Sequence, residues 1–396
     1  MPKKNKKTVL VHHKIKHAKK IIKDIKKSIL VQRKLKKRLH KKIKKLTRPK
    51  QKPRSRLKQK PIGLTRSNQN PIISPKSENG WEAWQTFNPG VVLLNGKVHF
   101  LYRAIGNDGI SRLGYAVSKD GFAIDEQLSY PVYEHKTKEK GRIFNIYSYF
   151  SGGSFGGSED PRLVRVGEED VLYMIYTVCN DGLRVGLTSI KIDDFLNKKW
   201  KWRKPVLISP PGEVHKNWLI FPEKINGKYA ILHSIKPEVQ IEYVDSLEFN
   251  DDTYIESFHG GQPRKKYWDK WIRGVGAPPI KTHDGWLIFY HAMDNDWSKY
   301  KVGAMLLDLK DPTKILYRSK KPVLEPKTLY ENNGFKGGIV YVSGALVKDG
   351  KLLVYYGGAD SCVCVAYADL DEFIEALKKD AEPKIKLKNL NKKNVN

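Results

Sequence analysis

The sequence predicts an all-β fold, a five-bladed β-propeller with a basic, helical N-terminal extension. Three observations lead there. From about residue 80, short runs rich in β-branched and aromatic residues alternate with Gly and Asp, the pattern of successive strands. One such strand recurs five times, starting at Gly or Asp and ending in Tyr or His. A second strand follows each copy, with aspartates soon after.

The recurring strands are residues 96–102, 170–176, 227–233, 285–291 and 350–356. The strands after them cover 112–116, 184–188, 240–244, 301–305 and 362–366. A third strand precedes each, expected to open at Asn88, Asp160, Asn217, Gly276 and Ser343. Copies about 55–70 residues apart match the radial repetition of a propeller with some long connections. A two-sheet sandwich would explain short strands but not the fivefold recurrence.

In a propeller the first strand of each blade lines the central channel. That places Asn88, Asp160 and Asn217 at equivalent positions near one mouth. Asp160 lies in the most distinctive stretch, Gly156-Gly157-Ser158-Glu159-Asp160-Pro161-Arg162. Glycine permits a sharp turn before the acid, and Pro161 fixes a dihedral just after it. Alone, the motif equally describes an Asx-type turn opening a strand. The series Tyr102, Tyr176, His233, His291 and Tyr356, with Arg103 directly after Tyr102, is expected to converge on a funnel suited to a sugar or small ligand. Each member singly also fits a packed strand-end residue with a satisfied polar tip.

The charge is unevenly spread. Of 74 Lys and Arg, 27 fall in residues 1–60 against one acid, Asp24, leaving 47 basic and 41 acidic side chains in the remainder. The body is therefore only mildly basic, and the net +32 does not by itself define a nucleic-acid-binding fold. Within 1–47, Ile15, Ala18, Ile22, Ile25, Ile29, Leu35, Leu39, Ile43 and Leu46 make a narrow apolar stripe at helical spacing. An interfacial helix on anionic lipid, a coiled-coil arm, a nucleic-acid tether and a solvated basic tail all remain open. Residues 48–79, rich in Pro and basic residues, read as a linker, 80–375 as the propeller, and 376–396 as a Lys/Asn-rich tail.

Cys179, Cys362 and Cys364 give neither a disulfide framework nor a metal-ligand spacing, so no metal is expected and a reducing, cytoplasmic setting is. The basic tail adds the expectation of a place at the membrane periphery. No apolar run approaches the roughly 18 residues needed to span a bilayer. No apolar stretch of a secretory signal follows the basic N-terminus.

Several motifs together resemble glycoside hydrolase family 130, β-mannoside phosphorylases with a smaller set of β-mannosidases. They are Phe87-Asn88-Pro89-Gly90, Tyr102-Arg103-Ala104, Gly157-Ser158-Glu159-Asp160-Pro161-Arg162, Phe221-Pro222-Glu223, Gly276-Ala277-Pro278-Pro279, Tyr290-His291, Leu306-Leu307-Asp308 and Tyr355-Tyr356-Gly357-Gly358-Ala359-Asp360. The resemblance covers about residues 80–375 and implies inverting phosphorolysis. Inorganic phosphate would attack a terminal β-mannoside and release α-mannose 1-phosphate, with Asp160 as general acid acting through a hydroxyl of the bound mannose. One catalytic carboxylate is chemically sufficient, since phosphate is already an anionic nucleophile and needs no base to activate it. It does need concentrated positive charge, for which Arg184, Lys216, Arg273 and His233 are candidates. Asn88, Arg103 and Asp360 match positions that contact the mannose, and Tyr102, His291 and Tyr300 are carried over as further sugar contacts. The resemblance implies no cofactor beyond phosphate as co-substrate.

Ser234, the run Val342-Ser343-Gly344 and the long segment 126–156 depart from the family pattern and leave linkage and leaving sugar open. Two other readings stay open: a β-mannosidase on the same scaffold, and a non-catalytic glycan-binding propeller tethered by its tail. A homo-oligomer is compatible with each.

Overall fold

The fold was analysed in a computed structural model, in which residues 62–136, 151–180, 182–258, 260, 267–293 and 299–380, with Lys34, are described. The chain divides into two units at Gln59 and Lys60. The expected helical tail over 1–47, apart from Lys34, and residues 48–61 of the expected linker lie outside the described residues.

The body is all-β: after a two-residue strand, β1 (Thr65–Arg66), its antiparallel strands fall into five groups in chain order, of which the first two are joined in one sheet by a two-residue parallel pairing, Ile110–Gly156 and Ser111–Gly157. The first group is β2 (Gln85–Leu94), β3 (Lys97–Ile105) and β4 (Ile110–Ser118), edged by β5 (Glu126–Gln127). The second is β6 (Gly156–Arg165), β7 (Val171–Cys179), β8 (Leu183–Lys191) and β9 (Val206–Leu207), with a short helix α1 (Ile192–Leu196) after β8. The third is β10 (Leu219–Ile220), β11 (Tyr229–Ser234) and β12 (Gln240–Val244). The fourth comprises β13 (Trp271–Val275), β14 (Ile280–Thr282), β15 (Gly285–Met293), β16 (Lys301–Leu307) and β17 (Ile315–Arg318). After helix α2 (Leu329–Asn332) come β18 (Val340–Lys348), β19 (Lys351–Gly358) and β20 (Cys362–Asp369), then helix α3 (Leu370–Asp380).

Period-two alternation makes each middle strand apolar on both faces, and each face packs on a different neighbour. On β3, Leu101 joins a cluster with Met174 and Tyr176 of the second group, while Phe100 and Tyr102 join one with Leu353 and Tyr355 of the fifth. On β7, Ile175 faces Ile231 of the third group. On β15, Ile288 and Tyr290 face Leu232 of the third group, while Leu287 and Phe289 face Val354 of the fifth. The five clusters thus lie between consecutive groups and pass from the fifth back to the first.

The tyrosines of the recurring strand belong to this packing. Tyr102, Tyr176 and Tyr290 pair across the ladder with Gly114, Gly186 and Gly303. A methyl on those glycines would sit 2.3, 2.6 and 2.3 Å from the tyrosine Cζ, so each ring lies on bare backbone. The hydroxyls of Tyr102, Tyr290 and Tyr356 donate to Glu82, Asp269 and Glu331 at 2.7, 2.8 and 2.8 Å. The expected convergence of the Tyr/His series on one funnel is therefore corrected. Its tyrosines face the neighbouring group, and in the fourth copy the equivalent of Tyr102 is Tyr290, not His291.

Two boundaries also change. Residues 62–79 are packed rather than linking: Ile62, Leu64 and Ile73 are buried, and Leu64 N donates to Val323 O and Ile72 N to Val363 O, at 3.0 and 2.8 Å. The outer edge of β20 would otherwise expose unpaired amides, and β1 takes it through Thr65–Tyr367 and Arg66–Ala366 pairs. Arg66 then closes a 2.7 Å ion pair with the buried Glu331. At the other end, α3 carries buried Leu377 within the expected tail. No helix among the described residues is long and apolar enough to cross a membrane.

Substituting Gly114→Ala is expected to destabilise the chain by about 1–3 kcal/mol, because the Tyr102 ring must leave its seat. Urea unfolding measures it, and an unchanged midpoint would contradict this packing.

Candidate active site

Asn88, Asp160 and Asn217 have φ of +45°, +48° and +67°, a left-handed conformation that Asn and Asp tolerate better than other side-chain-bearing residues. The first two do not open their strands as expected. They sit inside β2 and β6, where the ladder register skips between Phe87 and Gly90 and between Glu159 and Arg162. Pro89 and Pro161 have no amide to offer the ladder, which suits a bulge. A bulge re-aims a side chain out of strict alternation, and here it brings Asn88 Nδ2 to 2.8 Å from Asp160 Oδ1.

Arg103, on β3, holds the acids from the side opposite Tyr102. Its Nη2 is 2.8 Å from Glu159 Oε1 and its Nη1 3.3 Å from Asp160 Oδ1. It also donates to Ser154 and Ser111 at 3.1 and 3.0 Å, and its guanidinium lies 4.6 Å above the Phe87 ring. Ser151 and Ser154 both donate to Glu159, so Glu159 is committed to holding this knot together. Beneath, Arg162 ties the second group to three others. It donates to Asn217 Oδ1, Gly276 O and Tyr341 OH at 3.0, 2.9 and 3.0 Å, and to the Asp160 carbonyl at 2.6 Å.

Above this floor is a small cavity lined by Asn88, Arg103, Ser151, Gly152, Asp160, Lys216, Tyr300, Lys336, Ile339, Tyr341 and Asp360. Six of the expected site residues thus share one space: Asn88, Arg103, Asp160, Lys216, Tyr300 and Asp360. Arg273 stands at its rim, its Nε donating to Tyr300 OH at 2.7 Å. Lys336 and Tyr341 were not expected. They come from the connection after α2 and the start of β18, and no motif flags them. Glu331 organises that connection: its side chain accepts from Lys327 N and Thr328 N at 2.7 and 3.0 Å, and its carbonyl accepts from Gly338 N at 2.9 Å.

Four expected residues are placed elsewhere. Tyr102 is wholly buried between groups, because alternation sends it away from the face that Arg103 takes. His291 is also wholly buried, stacked on Tyr341 at 4.1 Å, so Tyr341 stands between it and the cavity. Arg184 lines a separate cavity with Asn180, Glu213 and Val214, and its Nε donates to Ser209 O at 3.0 Å. His233 falls at a register skip of β11, with Nδ1 2.8 Å from Ser257 Oγ. No group of three potential metal ligands clusters among the described residues.

The two cavity carboxyls are pushed in opposite directions. Burial alone would raise the Asp160 pKa, but Arg103, Lys216, Arg162 and the Asn88 hydrogen bond outweigh it and hold Asp160 below the usual range. Burial wins at Asp360, which rises although Lys336 Nζ is 3.9 Å away. Burial likewise lowers Lys336, so each of this loosely matched pair is drawn towards neutrality. His291 is lowered to about 3 by burial and the nearby Arg162, so its imidazole is neutral at ordinary pH.

A buried carboxylate framed by Asn and Arg, with lysines opening beside it at the meeting point of five β-groups, is the arrangement of a carbohydrate-active enzyme that also handles an anion. The chain belongs to glycoside hydrolase family 130, whose profile, described as β-1,4-mannooligosaccharide phosphorylase, matches residues 59–379. It is 38% identical over 324 residues to a 1,2-β-oligomannan phosphorylase of Thermoanaerobacter sp. (strain X514), covering 78% of this chain and 99% of that one. Against a β-1,2-mannobiose phosphorylase of the same strain the identity is 34%, over 78% of this chain and 98% of the other. Among solved structures, the β-1,2-mannobiose phosphorylase of Listeria innocua in complex with β-1,2-mannobiose superposes with a TM-score of 0.61 at 27% identity, covering 80% of this chain and 99% of that one.

Replacing Arg103→Met strands two buried carboxylates and is expected to cost about 3–5 kcal/mol at pH 7. The folded pKa of Asp160 is depressed, so its contribution is present above the unfolded value and lost as pH falls through the folded one. The deficit of the variant should therefore shrink in acid unfolding experiments. A deficit constant from pH 7 to pH 3 would contradict the ion-pair account.

Proposed function

We propose that the chain is a β-mannoside phosphorylase in which Asp160 supplies the proton to the leaving sugar. A phosphate oxygen attacks the anomeric carbon, the bond from that carbon to the glycosidic oxygen breaks, and the glycosidic oxygen takes up a proton. Attack from the face opposite the leaving group converts the β-mannoside into α-mannose 1-phosphate. The observation that carries the reading is the company Asp160 keeps: Lys216 and Lys336 open into its cavity and Arg273 stands at the rim.

In the resting protein Arg103, Lys216 and Arg162 hold Asp160 ionised, the wrong state for an acid. A bound phosphate offsets their field, and a neighbouring negative charge raises a carboxyl pKa. The dihydrogen phosphate monoanion gives one proton to Asp160, which passes it to the leaving oxygen as the glycosidic bond breaks, so phosphate arms the acid it reacts beside. Lys216 belongs to the Asp160 cavity, whereas Arg184 lines a second one with Glu213 and Val214. In this reading Lys216 holds the phosphate from within the cavity and Arg273 from its rim, while Arg184 stands outside the site. Asn88, Arg103 and Asp360 are left to hold the mannose. A hydrolase would need a second, ionised carboxylate to activate water, and Asp360 is pushed towards its neutral form.

The β-1,2 linkage is the finer reading, supported by relatives of that specificity at 38%, 34% and 34% identity. The five groups are read as the blades of a five-bladed β-propeller, supported by five interblade clusters that run from the fifth group back to the first. An experimental structure lacking the contact between Phe100 and Tyr355 would remove that reading.

With β-1,2-mannobiose, mannose 1-phosphate should accumulate only when inorganic phosphate is present. Asp160→Asn should lower the rate roughly 10²-fold or more. Mannose release at the same rate without phosphate would reject phosphorolysis, and an active Asp160→Asn variant would reject the assigned acid.

A further inference from the structure

The cavity is small and polar, so a saccharide cleaved at its terminal residue must project the rest of its length past the mouth. One side of that mouth carries an aromatic pair, exposed Trp84 and half-buried Phe335. Trp84 is 44% exposed, and its ring meets Phe335 edge-on at 5.2 Å and 75°. Both are tied to groups that line the cavity. Phe335 immediately precedes Lys336, and its amide donates to Ser361 Oγ, next to Asp360, at 2.8 Å. A methyl on Gly153, next to lining residue Gly152, would lie 2.7 Å from the Phe335 ring. Trp84 is fixed by its amide, which donates to Ile105 O at 3.1 Å at the end of the strand bearing Arg103.

We propose that Trp84, braced by Phe335, is a stacking platform for the sugar units beyond the scissile bond. This inference rests on the mannoside-phosphorylase reading. An indole face suits the C–H face of a pyranose, and large aromatic rings give contact area at little entropic cost. Continuity with the sugar cavity favours this occupant over a second copy of the chain. A lone aromatic pair is far smaller than the surface a stable dimer buries. Such a platform would set preference for chain length and leave phosphate capture alone.

The test uses the full chain. In an Asp160→Asn background, where turnover is suppressed, calorimetry compares β-1,2-mannotriose with mannose. Trp84→Ala should weaken mannotriose binding about tenfold and leave mannose binding unchanged, while Trp84→Phe keeps most of the affinity. In the active enzyme, Trp84→Ala should raise KM for mannotriose by a similar factor with KM for phosphate unaltered. The platform is overturned if Trp84→Ala and Phe335→Leu both leave mannotriose affinity unchanged, or if Trp84→Ala instead changes the oligomeric state in gel filtration. Failure of the intact protein to bind any mannoside would overturn the functional reading and the platform together, whereas binding indifferent to Trp84 would remove the platform alone.

Discussion

The site depends on one buried guanidinium. Arg103 meets Glu159 and Asp160 with adjacent nitrogens, is braced by two serines and lies on Phe87, all out of water. Two neighbouring carboxylates cannot both stay ionised in a dry site without such a partner. Glu159 is spent on holding Arg103, which leaves Asp160 facing the cavity with an oxygen shared only between Arg103 and Asn88. The pair Glu-Asp is thus divided into an acid spent on packing and the one proposed for the chemistry. The same cation that orients Asp160 also favours its ionised form, so under the proposed mechanism its protonated state is created by what enters.

The fold supplies this arrangement by repeating one local device. Strands β2 and β6 each break register at a left-handed Asn or Asp followed by proline, and the third group repeats the conformation at Asn217 without the proline. β2, β6 and β18 approach so closely that a methyl on Gly90 would lie 2.5 Å from Pro161 O, and one on Gly344 2.7 Å from Pro89 O. Arg162 then binds the third, fourth and fifth groups from the second, so the floor of the site is also the hub of the body. Damage to packing between any two groups is expected to reach the site through that hub.

Much of this was legible from local pattern. Fivefold recurrence, the Asp160 motif and its counterparts Asn88 and Asn217 are written within short windows. The Tyr/His series misled because strand-end position is not side-chain direction. Tyr102 and Arg103 are adjacent, yet only one can face the acids. The glycines opposite the tyrosines, Gly114, Gly186 and Gly303, carried the register that aligns Tyr290 rather than His291 with Tyr102. Lys336 and Tyr341 were invisible for another reason. They reach the cavity through a connection shaped by Glu331, whose partner Arg66 lies 265 residues earlier. The same long-range pairing recruits proline-rich residues after 61 as an edge strand, although their composition alone reads as linker.

If Asp160 and a pocket of cations form one anion-controlled unit, phosphate binding without any sugar shows it most directly. Isothermal titration of inorganic phosphate into the intact chain, Lys216→Ala and Asp160→Asn should give opposite responses in the two variants. Binding should be lost or strongly weakened in Lys216→Ala and tightened in Asp160→Asn, where a repelling carboxylate has been removed. Phosphate binding that is indifferent to both substitutions, or weakened by Asp160→Asn, would contradict the account.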